Sequence, residues 1–158
     1  MAKLIILVGN IGSSKSTYAK ELTKKGFYVI SRDSLRYMIG GGTYLFDSKT
    51  EPMIMAMTLS CLEIALGYGL NIVLDETNMT RKIRRQYINI AKYNDYDYEI
   101  EAHIMPKISK REAVDRRVND GGHGTPDRSK WEEVWELFDS KYEEPKTDEG
   151  FSKIVRVK

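Results

Sequence analysis

The chain has 158 residues, 41% of them hydrophobic and 30% charged, which suits one globular domain with a real core and excludes a disordered chain. Its 25 basic and 23 acidic side chains leave a formal charge of +2, which excludes a protein that coats duplex DNA by bulk electrostatics. No apolar run approaches membrane-spanning length.

Met1-Ala2-Lys3 leads directly into the first predicted strand, 3–8, and no leader peptide is expected. The strand's Ile5-Ile6-Leu7-Val8 runs into Gly9-Asn10-Ile11-Gly12-Ser13-Ser14-Lys15-Ser16-Thr17. This is the order strand, glycine-bearing loop, helix. Backbone N–H groups of such a loop converge on phosphate oxygens. Lys15 is placed to reach the β- and γ-phosphates, and the Ser16 hydroxyl to ligate Mg²⁺. The pattern G-x-x-x-x-G-K-[ST] is met at every fixed position but one, where Ser14 replaces a glycine. A Cβ there crowds the phosphate path or strains a turn that glycine tolerates. The loop residues Gly9, Asn10, Ile11, Gly12, Ser13, Ser14, Lys15, Ser16 and Thr17 are therefore expected to hold a nucleoside triphosphate. A serine-rich helix start with no ligand is the competing reading.

A first helix is predicted over 16–25, stopped by Gly26, and a short second strand over 28–30. A short helix over 32–39 precedes Gly40-Gly41-Gly42, a flexible break with no lysine to make it a second phosphate loop. Thr50 is expected to cap a helix reaching about residue 66, with Pro52 in its first turn. Within it, Met53, Met55 and Met57 read as adaptable core packing, and Cys61 as a buried packing residue. Cys61 is the only cysteine, so no intrachain disulfide forms and a reducing compartment is expected. A third strand follows over 71–74, and Thr80 caps a helix to about residue 93. The strand over 98–105 alternates in polarity and is expected to be less buried. Ser109-Lys110-Arg111-Glu112 and Ser129-Lys130-Trp131-Glu132 are capping boxes that start two helices, the second ending near residue 142. A glycine-rich loop over 119–128 separates them, and a last strand is predicted over 151–157. Strands alternating with helices predict an α/β fold with a mainly parallel sheet.

In such a sheet, ligands lie beyond the carboxyl ends of the strands. Ser31-Arg32-Asp33-Ser34-Leu35-Arg36 follows the second strand, so Asp33 and Arg36 fall near the loop and share a helix face. The aspartate can accept a proton from an alcohol attacking a γ-phosphate, and the arginine can hold a phosphate of the acceptor. A weak surface ion pair accounts for the spacing equally well. Leu74-Asp75-Glu76-Thr77-Asn78 ends the third strand. A carboxylate there suits a Mg²⁺-water ligand, Asp75 first and Glu76 second, although a plain turn also favours Asp and Asn. Arg111, Arg116 and Arg117 precede Gly121-Gly122-His123-Gly124. Arginines on a movable segment can close over a triphosphate; a solvated basic face is the alternative. Arg81, Lys82, Arg84 and Arg85 form another basic cluster, which could meet a nucleic-acid strand but reads first as a solvated face. His103 and His123 lack metal-ligand spacing, so no zinc site is indicated; His123 could touch a phosphate or base, with a plain loop residue as the favoured reading. No Asn-Lys-x-Asp stretch is present, which argues against a GTPase.

Together these residues resemble the small P-loop kinases, most closely the kinase domain of bacteriophage polynucleotide kinase. That family usually carries Pro and Gly where this chain has Ile11 and Ser14. The segment Ser31 to Arg36 resembles its Arg-Asp motif. The resemblance implies Asp33 as general base for a 5′-hydroxyl and Arg36 as ligand of the phosphate on the 3′ side of the reacting nucleoside. Asp75-Glu76-Thr77-Asn78 resembles its Asp-Thr-Asn segment with a one-residue offset, and brings Thr77 to the acceptor. Residues 112–117 resemble its lid helix, with Arg116 at the position of a phosphate-clamping arginine. Asp120 stands where a second lid arginine is expected, and Arg117 and Arg128 are the candidates to replace it.

The resemblance implies a single domain, 1–158, with a P-loop kinase-like three-layer fold: a five-stranded parallel sheet flanked by helices, with a helical lid over about 109–128. It implies ATP and Mg²⁺ as cofactors and the 5′-OH end of DNA or RNA as acceptor. Lys15, Asp33 and Arg116 would be catalytic; Arg116 and Arg117 would join the loop at ATP. Asp33, Arg36 and Thr77 would meet the acceptor, and Ser16, with Asp75 through water, the metal. No membrane and no obligate protein partner is expected, and the setting is the cytoplasm of a bacterial or phage-infected cell. No Asp-x-Asp-Gly-Thr segment is present, so an attached 3′-phosphatase of that type is not expected. The alternatives are a small-molecule kinase acting on a nucleoside, nucleotide or sugar, and a non-catalytic nucleotide-binding module.

Overall fold

A computed structural model describes residues 1–121 and 123–158; Gly122, one of the glycines expected to let the lid move, lies outside the described residues. In chain order the elements are β1 (Ala2–Val8), α1 (Lys15–Thr23), β2 (Tyr28–Ile30), α2 (Arg32–Ile39), α3 (Glu51–Gly67) and β3 (Ile72–Leu74). They continue with α4 (Arg81–Lys92), β4 (Tyr98–Ile104), α5 (Lys110–Asp120), α6 (Arg128–Lys141), a 3₁₀ turn (Thr147–Glu149) and β5 (Lys153–Arg156). The five strands form one parallel sheet in the order β2-β3-β1-β4-β5. β1 is central and apolar on both faces. Its neighbours are β3 and β4, so the chain changes direction across the sheet at β1. The loop that follows β1 therefore opens at the switch point, where open parallel sheets bind ligands.

Alternation along β1 sends its side chains to two cores. Leu4, Ile6 and Val8 pack with Leu62 and Leu66 of α3 and Tyr87 and Ile88 of α4. Ile5 and Leu7 pack with Ala19 and Leu22 of α1 on the other face. A third cluster stands at the carboxyl edge, where Ile11 of the loop packs against Val114 of α5 and Trp131 of α6. The helices α5 and α6 are thus seated directly on the loop.

Several expectations are corrected. β4 is not a less buried strand: its last five residues are all buried. The polar residues that gave it an alternating pattern are paired under α1. Lys3 Nζ donates to Glu101 at 2.8 Å, Glu101 lies 2.8 Å from His103 Nε2, and His103 Nδ1 lies 2.8 Å from the Tyr18 hydroxyl. Cys61 is exposed rather than buried, because α3 faces the sheet with Ile54, Thr58, Leu62 and Leu66. Met53 is also exposed, while Met55 packs against the core. Thr50 makes no side-chain cap; the Asp47 carboxylate accepts from the Thr50 N–H at 2.8 Å instead. α6 starts at Arg128, capped by Asp127, which accepts from Ser129 N–H at 3.0 Å. The basic cluster on α4 is not one solvated face. Arg84 is fully buried and forms a bidentate pair with Glu149 at 2.8 and 2.9 Å, fastening α4 to the 3₁₀ turn. Among the described residues, no helix is long and apolar enough to cross a membrane.

Candidate active site

Glycine is required at Gly12, where φ is +70° and a Cβ would lie 2.8 Å from the Ala113 carbonyl oxygen of α5. Ser14 adopts the same left-handed region, with φ 66° and ψ 26°, although it carries a Cβ. The loop is further fixed by Gly9 N–H donating to the Thr77 carbonyl at 3.0 Å, and by the Asn10 side-chain amide donating to the Trp135 carbonyl at 2.9 Å.

Lys15 is buried within this loop, its ammonium donating to the Asn10 carbonyl at 2.7 Å and to Ser13 Oγ at 3.2 Å. Burial pushes its pKa down to about 8, against the opposing charge of Asp75. Ser16 Oγ donates to Asp75 Oδ2 at 2.7 Å. Burial raises the Asp75 carboxyl above its usual range, while the Ser16 hydrogen bond and the Lys15 charge pull it back. Glu76 points elsewhere: it is buried between Arg32 Nε at 2.9 Å and the Tyr87 hydroxyl at 2.6 Å. Asp75 rather than Glu76 therefore stands beside the phosphate loop. From α5, Arg116 donates to the Gly12 carbonyl at 2.8 Å and to Ser14 Oγ at 2.9 Å.

Asp33 lies in the first turn of α2, whose cap is the Ser31 hydroxyl accepting from Ser34 N–H. Its Oδ1 accepts from Arg36 Nη1 at 2.7 Å and from the Tyr44 hydroxyl at 2.9 Å. Its Oδ2 lies 3.3 Å from His123 Nε2. Burial works to raise this carboxyl, but the hydrogen bonds from His123 and Tyr44 and the charges of His123 and Arg36 hold it well below the usual range. Arg36 is buried, and its guanidinium also forks onto Glu51 at 2.8 and 2.7 Å.

Asp33, Arg36, Asp75, Thr77 and Arg117 line one cavity of about 530 Å³. Aromatic side chains form much of its wall. Tyr44 and Phe46 lie nearly parallel, with centroids 6.5 Å apart, and Arg117 sits over the Trp131 ring at 5.4 Å. A second cavity, of about 430 Å³, lies at Gly9, Asn10 and Ser13 and extends to Ile108 and Val157. The structure thus gathers Lys15, Ser16, Asp75 and Arg116 at the loop, and Asp33, Arg36, Thr77 and Arg117 in the first cavity. Arg111 stays exposed, and Arg128 is paired with Asp115. Tyr44 and Glu51 were not singled out in the sequence, and His123 was read there as a phosphate or base contact at most, not as a partner of Asp33. The only local signal was for His123, which sits among glycines between two helices.

The AAA domain family matches residues 4–145 of the chain. The chain belongs to this family. A protein of Acanthamoeba polyphaga mimivirus, named as a bifunctional polynucleotide phosphatase/kinase, is 28% identical over 98% of the chain. The chain spans 33% of that relative's length. A chain of the Pnkp1/Rnl/Hen1 RNA repair complex is 25% identical, with a TM-score of 0.66 over 90% of this chain and 46% of that one. A kinase structure from Chloroflexus aurantiacus superposes with a TM-score of 0.74 at 18% identity, covering 99% of this chain and 87% of that one. The fold of this AAA family member is therefore that of the P-loop kinases.

Proposed function

We propose that the chain is a polynucleotide 5′-hydroxyl kinase, an ATP-dependent phosphotransferase acting on the 5′-OH end of DNA or RNA. The observation that carries this reading is Asp33: a carboxylate held ionised in an aromatic-walled cavity that also reaches Asp75 beside the phosphate loop. The names of the mimivirus relative and of the RNA repair complex support the acceptor class.

The loop N–H groups and Lys15 bind the triphosphate, and Arg116 covers it from the lid, residues 109–128. Asp33 takes the proton of the acceptor hydroxyl as the new oxygen–phosphorus bond forms and the bond to the leaving β-phosphate oxygen breaks. ADP departs with that electron pair. Lys15 and Arg116 stabilise charge on the transferring group, and positioning does most of the rest. Arg36 and Thr77 orient the acceptor, and the second cavity has room for the donor's nucleoside. Ser16 and Asp75 offer hard oxygen donors at one point, which fits Mg²⁺, a cation that keeps most of its waters. When bound it neutralises charge on the β- and γ-phosphates. The domain so described acts as one unit over 1–158, in a reducing intracellular setting such as an infected cell.

The test is transfer from γ-labelled ATP to 5′-OH oligonucleotides, nucleosides and sugars. Asp33→Asn should lose transfer by about a hundredfold or more while binding ATP normally. Wild-type turnover by that variant removes Asp33 as the base. A small-molecule acceptor is the second reading, favoured by Arg36, whose three guanidinium nitrogens all bond within the protein. Transfer to a free nucleoside or sugar but to no oligonucleotide would decide for it.

A further inference from the structure

Three of the four lone-pair sites on the Asp33 carboxylate are occupied. Oδ1 takes two donors, Arg36 Nη1 and the Tyr44 hydroxyl, and is saturated. Oδ2 faces one donor, His123 Nε2 at 3.3 Å. One acceptor site on Oδ2 remains for a substrate hydroxyl. The direction of that site depends on what holds Oδ2.

His123 belongs to the segment between α5 and α6, so it reaches Asp33 from the lid side of the cavity. Its ring is braced on several sides. Trp131 meets it edge-on at 6.2 Å and 89°, and Tyr44 and Tyr37 of the α2 side meet it at 5.3 and 6.5 Å. Arg117 Nη1 lies 2.7 Å from Nδ1 and 2.6 Å from Nε2. The Asp120 carboxylate is 3.6 Å from Nδ1, outside hydrogen-bond reach. An arginine only donates and a carboxylate only accepts. The contact with Asp33 Oδ2 therefore needs a hydrogen on His123 Nε2, while Arg117 Nη1 rests against the ring close to both of its nitrogens.

We infer that His123 is a positioning residue for the phosphoryl acceptor: brought in by the lid segment, it fixes Asp33 Oδ2 so that its one open lone pair meets the substrate hydroxyl. This rests on Asp33 being the base. The consequence is that the base is fully set only when the lid segment lies over the cavity. A charge-bearing arginine, Arg116, and the base-orienting histidine then arrive on adjoining parts of one segment, coupling cover over the donor to alignment of the acceptor.

The test uses the full chain with His123→Ala, His123→Gln and Asp33→Asn, each assayed for transfer to the best 5′-OH acceptor. His123→Ala should lower kcat by about tenfold to a hundredfold, the size of a small misplacement at the reacting centre, with KM for ATP unchanged. His123→Gln should recover most of that loss, because its side-chain N–H reaches the same oxygen. A role in folding or loop packing alone would not be rescued this way. His123→Ala with wild-type kcat, or His123→Gln as slow as His123→Ala, overturns the inference while an inactive Asp33→Asn leaves the base in place. An Asp33→Asn variant as fast as wild type overturns the base itself.

Discussion

Arg116 of α5 donates to Ser14 Oγ at 2.9 Å, so this helix grips the loop at the one position that departs from the usual glycine pattern. Ser14 holds φ 66° there. A side chain in this region costs about 1 kcal/mol or more relative to glycine, partly offset by the extra chain entropy glycine brings to the unfolded state. Ser14→Gly should therefore raise the melting temperature by about 1–3 °C, which thermal unfolding reads directly. It should also tighten ATP binding, since the Cβ leaves the phosphate path. A lowered melting temperature would show that the Arg116 contact outweighs the backbone strain.

Lys15 gives a pH dependence whose sign is fixed. Burial brings its pKa down to about 8 in the unliganded protein, and a triphosphate beside it favours the charged form. ATP binding should thus take up a proton near and above that pH, and affinity should weaken as pH rises through about 8. Folding responds in the opposite sense. The unfolded lysine keeps its proton to about 10.4, so between about 8 and that value the unfolded state binds more protons. The stability contributed by this group therefore rises with pH across the window. Calorimetry at pH about 8.5 in two buffers of different ionisation enthalpy measures the uptake. Lys15→Met should abolish it.

What was legible in the sequence was local. The apolar run of β1, the glycines and Lys15-Ser16 are contiguous, so their chemistry reads without knowing the fold. Asp33 and Asp75 were legible because each follows a strand on the loop's side of the sheet. The neighbouring carboxylate Glu76 could not be separated by pattern, since only the fold turns it toward Arg32 and Tyr87. The burial of Glu101 and Arg84 depends on partners 98 and 65 residues away, Lys3 and Glu149, and leaves no local mark. Helix α3 is apolar nearly all round, so its sequence could not say that Cys61 faces solvent. His123 meets Asp33 only through the path of the segment between α5 and α6.

Arg36 is held by Glu51 and Asp33 in the cavity proposed for the acceptor. If it anchors an acceptor phosphate, Arg36→Ala should raise KM for oligonucleotides and 3′-nucleotides by about tenfold or more, the worth of a charge-assisted fork. Acceptors lacking that phosphate should suffer less. Steady-state kinetics on matched acceptors with and without the 3′-phosphate make the comparison. Equal losses on both would reduce Arg36 to a residue that orients Asp33.

The Arg84–Glu149 pair concerns stability rather than catalysis. The Arg84 side chain is 0% exposed and Glu149 4%, and Arg84 Nη1 also donates to the Asn78 carbonyl at 2.9 Å, one residue beyond Thr77. Removing the carboxylate strands a buried cation, which typically costs about 3–5 kcal/mol. In a chain of this size that is a fall in melting temperature of roughly 10 °C. Glu149→Ala should show this fall, while ATP affinity measured well below the transition stays near wild type, because neither side chain lines either cavity. Replacing both residues, as in Arg84→Met with Glu149→Leu, should recover much of the loss, since an apolar pair needs no compensating charge. Thermal unfolding of Glu149→Ala and of the double variant tests this. A double variant no more stable than Glu149→Ala would mean that the Arg84 contact to Asn78, rather than the ion pair, secures the end of the strand-three loop.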